Sequence, residues 1–236
     1  MCNLYSMTTT HQAMRQLFRV QSGINQLHLP GIFPDHQAPI IRRRKDGERE
    51  AVSARWGMPT PPAFRKTPID RGQTNIRNVQ SPHWRGWLTP QFRCLVPATS
   101  FCEPTDLADP VTGQKVWTWF ALDEQRPLFA FAGIWCRWTG TRGTQKNPVE
   151  GEHTLFGFLT TAPNEVVRPV HAKAMPVLLT TAAECDAWLE APTPEALKLQ
   201  RPLPDDQLRI VARGEREDPP PNKAPELPFA AGLKAP

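Results

Sequence analysis

The stretch Pro127 to Cys136, Pro-Leu-Phe-Ala-Phe-Ala-Gly-Ile-Trp-Cys, indicates the fold most directly. It is rich in aromatic and apolar residues and follows the polar segment Asp123 to Arg126, a pattern typical of a β-strand that begins after a turn. Phe92 to Val96, Lys115 to Leu122 and His153 to Thr161 have the same character and are also predicted to be strands. The short polar segment Asp123 to Arg126 predicts that the strands on either side of it form a hairpin.

Shorter periodic segments surround these strands, and they indicate an α+β domain dominated by antiparallel strands. From Gly214 to Pro236 the chain is rich in proline and polar residues, which predicts a loosely ordered tail after a domain of residues 1–213. Helices are predicted over Thr8–Val20, Thr181–Leu189 and Glu195–Leu199, a helical turn over Asn164–Arg168, and further strands over Ile40–Ile41, Ala51–Trp56, Met175–Leu179 and Gln207–Ala212.

Composition narrows the classes of function. The 236 residues carry a net charge of +5, which favours a polyanionic partner without proving one. No apolar run approaches the length of a membrane span and no signal peptide is evident, so we expect a cytoplasmic protein. The five cysteines are odd in number and lack C-x-x-C spacing, and the six histidines form no ligand pattern. We therefore expect no disulfide framework, no metal and no cofactor, and a monomer.

Cys2 is the residue with the most distinctive chemistry. Removal of Met1 is favoured when the second residue is small, and it would leave a free α-amine beside the Cys2 thiol. A 1,2-aminothiol condenses with an aldehyde to an imine, and the sulfur then closes a thiazolidine ring. The α-amine has an ordinary pKa near 7.7–8.0, so part of it is unprotonated at neutral pH. The alternative is that Cys2 has no chemical role.

Several motifs follow Cys2 in a defined order. They are Trp56-Gly-Met-Pro59, Thr74-Asn-Ile-Arg77, Cys94-Leu-Val-Pro97, Ser100-Phe-Cys-Glu103, Phe129-Ala-Phe-Ala-Gly-Ile-Trp135 and His171-Ala-Lys-Ala-Met-Pro176. Together they resemble the SRAP family, the SOS response-associated peptidases or abasic-site processing proteins, over residues 2 to 212. The resemblance implies one SRAP-like domain with a barrel-like core, autoproteolytic removal of Met1, and a thiazolidine crosslink to abasic sites in single-stranded DNA, with peptidase and lyase-like activity.

The resemblance also implies roles for four residues besides Cys2. Asn75 would hold Cys2 and the opened sugar, and Arg77 would bind a phosphate. Glu103 matches a glutamate whose carboxylate could take a proton from the amine and return one to the departing hydroxyl. His171 could protonate the sugar ring oxygen, because histidine titrates near neutrality. Without the resemblance, Asn75 is equally a turn cap, and Glu103 and His171 are equally structural or solvated residues.

The sequence departs from the family pattern at several positions. The family commonly begins Cys-Gly-Arg, whereas Asn3 and Leu4 follow Cys2 here, so one phosphate contact is in doubt. An acidic residue of the family is replaced by Val79. Lys173 stands where the family has an arginine, and the spacing from His171 to Met-Pro is one residue longer.

Basic and aromatic residues supply candidates for DNA contact. Trp56, Trp84, Arg85 and Lys173 are predicted to contact DNA. Trp84 and Trp87 lie among arginines and could stack on bases, a pattern that suits single strands. Burial of the tryptophans in the core is the alternative. The basic run Arg42 to Lys45 either follows a phosphate backbone or forms a solvated hairpin tip.

Three other functions remain open. An N-terminal-nucleophile amidohydrolase also begins Met-Cys and uses its α-amine as a base, but the Arg-rich and His-Arg-Gly-Pro-Asp segments of glutamine amidotransferases do not occur here. A peptidase that uses Cys2, or a non-catalytic module that binds single-stranded DNA, would also fit the composition.

Overall fold

A computed structural model of the chain describes residues 2–20, 28–108, 113, 115–214 and 216–221. The helices of this part of the chain are α1 (His11–Phe18), α2 (Pro82–Arg85), α3 (Ala182–Glu190) and α4 (Thr193–Ala196). Its strands are β1 (Tyr5–Thr8), β2 (His28–Ile32), β3 (Gln37–Arg43), β4 (Arg49–Trp56), β5 (Asn75–Ile76), β6 (Arg93–Ala98), β7 (Ser100–Ala108), β8 (Lys115–Ala121), β9 (Phe129–Gly143), β10 (Pro148–Thr161), β11 (Met175–Pro176), β12 (Leu178–Leu179) and β13 (Arg209–Arg213).

Five strands close into a barrel, in the order β10, β4, β3, β6, β9 and back to β10. Four of the five pairings are antiparallel, and β4 pairs with β10 in parallel. The closed ring leaves none of these five strands as a free edge, which protects them from pairing with another chain. The prediction of an α+β fold with a barrel-like core is confirmed.

Alternation along the strands separates the inside of the barrel from the outside. Ile40, Phe131 and Phe158 belong to the inner cluster, whereas the neighbouring Ile41 belongs to the cluster that the helices cover. From α3, the indole nitrogen of Trp188 donates to the carbonyls of two paired barrel residues, Cys94 and Gly133, at 3.0 Å each. The helix is thereby fixed to the outer face of the barrel.

A second sheet, in the order β13, β8, β7, β1 and β2, packs against the barrel. Tyr5 on β1 makes edge-to-face contacts with Trp56 and Phe131, with ring centroids 5.1 and 5.5 Å apart. Phe101 on β7 lies 6.3 Å from Phe131 in the same geometry. These aromatic pairs connect the strand nearest the N-terminus to the barrel interior.

The predicted hairpin at Asp123 to Arg126 is wrong. β8 pairs with β7 and β13, whereas β9 pairs with β6, β10 and β12, so the chain crosses from the second sheet to the barrel at this point. Arg126 has a φ of 51°, in the left-handed region, and its buried side chain donates to Asp218. A short polar connection alone does not distinguish a hairpin from such a crossover.

The predicted helices occur with shifted ends. The first begins at His11 because the Thr10 hydroxyl accepts from the Ala13 amide as its N-cap, and Thr8 belongs to β1. The helix predicted from Thr181 starts with that residue as N-cap in a capping box with Glu184. Glu195 to Leu199 is divided between α4 and a 3-10 helix over Leu197–Leu199.

The first residues of the predicted tail contact the domain. Asp218 is buried, and its carboxylate accepts from Arg126 at 3.0 Å and from the Ser100 hydroxyl at 2.6 Å. Arg216 lies over the Trp117 ring at 5.0 Å. Residues 222–236, the rest of the predicted tail, lie outside the described residues. Among the described helices, none is long and apolar enough to cross a membrane.

Candidate functional site

Cys2 lies just before β1, in the segment that β7 holds in place. Tyr5 pairs with Phe101, and the Leu4 carbonyl accepts from the Cys102 amide at 2.9 Å. The Cys2 thiol donates to the same Leu4 carbonyl at 3.4 Å, and only 1% of the residue is exposed. The N-terminal end of the chain is therefore fixed by backbone pairing with the second sheet.

Asn75 holds Cys2 from the other side. Its side-chain amide donates to the Cys2 carbonyl at 2.7 Å and to the Thr74 hydroxyl at 2.8 Å. The Thr74 hydroxyl donates in turn to the Asn3 side chain at 3.2 Å. Asn75 is placed there by β5, which pairs in parallel with β10 opposite Phe158. Sequence analysis paired Cys2 with Asn75 through the family resemblance, but it missed Thr74, whose hydroxyl gives no signal by itself.

Trp56 is a correction to the predicted DNA contacts. The residue is fully buried, and its ring stacks on Phe158 with centroids 5.2 Å apart. Its indole nitrogen donates to the Thr74 carbonyl at 3.2 Å. No face of the ring is exposed to a base, because Tyr5 also packs against it. Trp56 instead positions the segment that carries Asn75.

Glu103 lies on β7, next to the residue that pairs with the N-terminal segment, and it is fully buried. Burial raises the pKa of the Cys2 thiol well above its ordinary value, and the negative charge of Glu103 raises it further. Burial likewise raises the pKa of Cys102, with contributions from Cys2 and Glu103. The structure thus brings the Glu103 carboxylate within electrostatic reach of Cys2 and keeps the thiol protonated at neutral pH.

His171 follows the turn after Asn164, and it is half-buried. Its amide donates to the Val167 carbonyl at 2.8 Å. Val167 and Val170 from this turn pack in the same apolar cluster as Cys2, and Met175 on β11 belongs to it as well. The turn that carries His171 is therefore packed against the core that surrounds Cys2.

The predicted phosphate-binding residues are exposed. Arg77 comes directly after β5, two residues from buried Asn75, and its carbonyl accepts from Gln200 at 2.9 Å. Arg85 is exposed at the end of α2, and Lys173 is exposed before β11. These three side chains are free to meet an anion from solvent.

Trp84 is a second correction. Only 8% of the residue is exposed, and it packs in the outer core cluster beside Trp87, with ring centroids 6.0 Å apart. This burial argues against base stacking by Trp84.

Leu4, at the position where the family has an arginine, is a buried core residue that packs with Trp119 and Val211.

Among the described residues, no group of three or more His, Cys, Asp or Glu side chains is placed to hold a metal ion.

The family model for SOS response associated peptidase (SRAP) matches residues 1–213 of the chain. The chain belongs to the SRAP family. The match covers the barrel, the second sheet and every residue of the candidate site.

Solved structures share this fold. A protein from Bordetella bronchiseptica is 24% identical with a TM-score of 0.66, over 90% of this chain and 98% of its own. A protein from Bacteroides thetaiotaomicron is 22% identical with a TM-score of 0.66, over 88% and 90% of the two chains. A phage-related protein from Bordetella bronchiseptica is 18% identical with a TM-score of 0.63, over 88% and 92%. No curated protein matches the sequence.

Proposed function

We propose that this SRAP protein, once Met1 has been removed, bonds covalently through Cys2 to the aldehyde of an abasic site in single-stranded DNA. The observation that carries the proposal is the buried hydrogen bond of 2.7 Å from Asn75 to the Cys2 carbonyl. An asparagine that fixes the backbone of an N-terminal cysteine, beside a buried carboxylate, suits a reaction of the α-amine.

The reaction proceeds in two steps, imine formation and ring closure. The Cys2 α-amine adds to the aldehyde carbon, and the carbinolamine loses water to give an imine. The thiol sulfur then bonds to the imine carbon while the thiol proton passes to the nitrogen, which closes the thiazolidine ring. The net change is the joining of aminothiol and aldehyde with loss of one water.

Glu103 is the group proposed to move protons in both steps. Its carboxylate can accept a proton from the α-ammonium and return it to the departing hydroxyl. Burial raises the pKa of the Cys2 thiol in the chain that retains Met1, and a sulfur that enters the reaction as S–H has to give up its proton as the ring closes. His171 is proposed to protonate the ring oxygen of the closed sugar, which exposes the aldehyde. Arg77, Arg85 and Lys173 are proposed to hold phosphates of the strand.

Removal of Met1 is required by this chemistry. While Met1 is present, the Cys2 nitrogen is a peptide amide without a basic lone pair. In the full chain Cys2 exposes 1% of its surface, so the loss of Met1 has to open a path to the sulfur as well. The family description as a peptidase supports self-removal of Met1 by the same residues, and cleavage of other substrates by Cys2 is the second candidate function.

A denaturing gel tests the proposal. Protein confirmed by intact mass to begin at Cys2 is mixed with a single-stranded oligonucleotide that carries one abasic site. We expect a shifted band that survives denaturation, and the Cys2→Ala variant should not form it. Cys185→Ala is the matched control, since Cys185 is a buried cysteine of α3. Equal crosslinking by Cys2→Ala, or none by the mature protein, would reject the proposal.

A further inference from the structure

A second feature of the molecule is a basic groove at one end of the barrel, with a volume of about 1260 Å³. It is formed by the tip of the β3–β4 hairpin, the 3-10 helix Pro90–Phe92 and the middle of β9. Its lining holds five cationic and two acidic side chains, an excess of three positive charges. The cationic residues are Arg42, Arg43, Arg44, Lys45 and Arg137.

The two acids only partly neutralise the groove. Glu50 pairs with Arg42 at 2.8 Å, and Asp46 pairs with Arg44 at 2.8 Å. Arg137 has a single long contact of 3.7 Å with Glu152, and both side chains are about two-thirds exposed. Exposed pairs of this kind are weak, so Arg137 can exchange its partner for an anion at little cost.

Two buried donors in the lining have no hydrogen-bond partner among the described residues. They are the Nε atom of Arg43 and the indole nitrogen of Trp135. An unpartnered buried donor is costly, so such groups point to a missing acceptor. Arg42 lies over the Trp135 ring at 4.1 Å, which fixes its guanidinium at the base of the groove.

Positive charge extends beneath the groove. Arg93, directly after the lining residue Phe92, is fully buried. Burial and the neighbouring charge of Arg43 lower the pKa of Arg93 to about 10. An anion in the groove would offset this repulsion, because it would lie close to Arg43.

We propose that this groove binds the phosphodiester backbone of a nucleic-acid strand, as a second anchoring site in addition to the residues around Cys2. Neither Cys2, Asn75 nor Glu103 is among the described residues that line it. Trp56, which supports the Asn75 segment, ends β4 beside His36, whereas the groove begins at Arg42. This length of β3 spans about 20 Å, or about six nucleotides at the duplex spacing of about 3.4 Å.

The inference extends the proposed function from the damaged nucleotide to the strand beyond it, and the two can be tested separately. The test variant is the triple substitution Arg44→Ala, Lys45→Ala and Arg137→Ala, which removes three exposed charges and no core contact. The control is Arg15→Ala, Arg209→Ala and Arg213→Ala, which removes three exposed charges elsewhere. Binding to an undamaged oligo(dT) of about 20 nucleotides is measured by fluorescence anisotropy over a range of salt concentrations.

We expect the groove variant to bind at least about tenfold more weakly at low salt, and its log–log salt slope to fall by about 2, at about 0.7 per lost phosphate contact. The control should change neither value comparably. Equal effects of both variants, or no binding by the wild type, would overturn the inference. Loss of binding to a nucleoside triphosphate with an unchanged oligo(dT) slope would assign the groove to a small phosphate ligand and likewise overturn it.

Crosslinking separates this inference from the proposed function. An abasic trinucleotide is too short to reach from Cys2 to the groove, because its two steps span only about 14 Å even at twice the duplex spacing of about 3.4 Å. The groove variant should crosslink it at the wild-type rate. One outcome is that the wild type fails to crosslink while the groove variant still shows the reduced salt slope with oligo(dT). In that case the proposed function fails and the groove assignment stands.

Discussion

Replacement of Asn75 by alanine removes the contact on which the site depends most. The substitution deletes the hydrogen bonds to the Cys2 carbonyl at 2.7 Å and to the Thr74 hydroxyl at 2.8 Å. A buried acceptor that loses its partner costs about 1–3 kcal/mol. If that loss falls on the aligned state of Cys2, the rate falls about 5- to 150-fold, at about 1.36 kcal/mol per tenfold.

The assay is the single-turnover rate of crosslink formation with excess abasic oligonucleotide, followed on denaturing gels. Asn78→Ala is the matched control, because Asn78 is exposed in the same segment. Thermal unfolding of each variant shows whether it is folded at the assay temperature. A folded Asn75→Ala protein that crosslinks at the wild-type rate would refute the role of Asn75 in positioning Cys2.

Three further predictions concern the supports of the site and of the fold. Trp56→Phe should slow crosslinking several-fold, because it removes the hydrogen bond of about 1 kcal/mol to the Thr74 carbonyl while it keeps an aromatic ring. Asp218→Ala should lower the free energy of unfolding by about 3–5 kcal/mol in denaturant titrations, since it leaves buried Arg126 without its carboxylate. Burial alone would raise the pKa of Asp70, but hydrogen bonds from Thr60 and Gly72 lower it overall. Its stabilising contribution is therefore complete above about pH 4 and lost as the pH falls through the lowered pKa, and Asp70→Asn should flatten this acid limb.

Two of these predictions have a matched control variant. Trp117→Phe changes a partly exposed tryptophan of the second sheet and should leave the crosslinking rate unchanged. Glu217→Ala alters the exposed neighbour of Asp218 and should leave stability within about 0.5 kcal/mol. Equal unfolding curves for Asp218→Ala and the wild type, or an unaltered acid limb in Asp70→Asn, would contradict the burial argument for that residue.

Much of the fold could be predicted from local patterns. The strands β3, β4, β6, β8, β9 and β10 are recognisable because their apolar residues alternate or run continuously between turns. β1 was missed, because Tyr5 to Thr8 is only four residues long and the burial of Tyr5 depends on packing against the distant Trp56 and Phe131. The crossover after Asp123 was missed because sheet partners are set by long-range packing, which a turn sequence does not encode.

The candidate site was predictable only in part. Cys2, Asn75 and Glu103 lie far apart in the sequence, and the family resemblance, more than their spacing, brought them together. The burial of Trp56 and Trp84 could not be read from composition, since a tryptophan beside an arginine occurs both in cores and on nucleic-acid surfaces. The anchoring of Asp218 likewise depends on the distant Arg126.

Mass spectrometry of the crosslinked product tests the central claim most directly. The account predicts a mass equal to that of the protein without Met1 plus the abasic oligonucleotide, less one water. Peptide mapping should place the adduct on the fragment that begins at Cys2, and borohydride should not change its mass, because a thiazolidine has no C=N bond to reduce. A product that retains Met1, an adduct on another residue, or a mass increase of two hydrogens on reduction would contradict it.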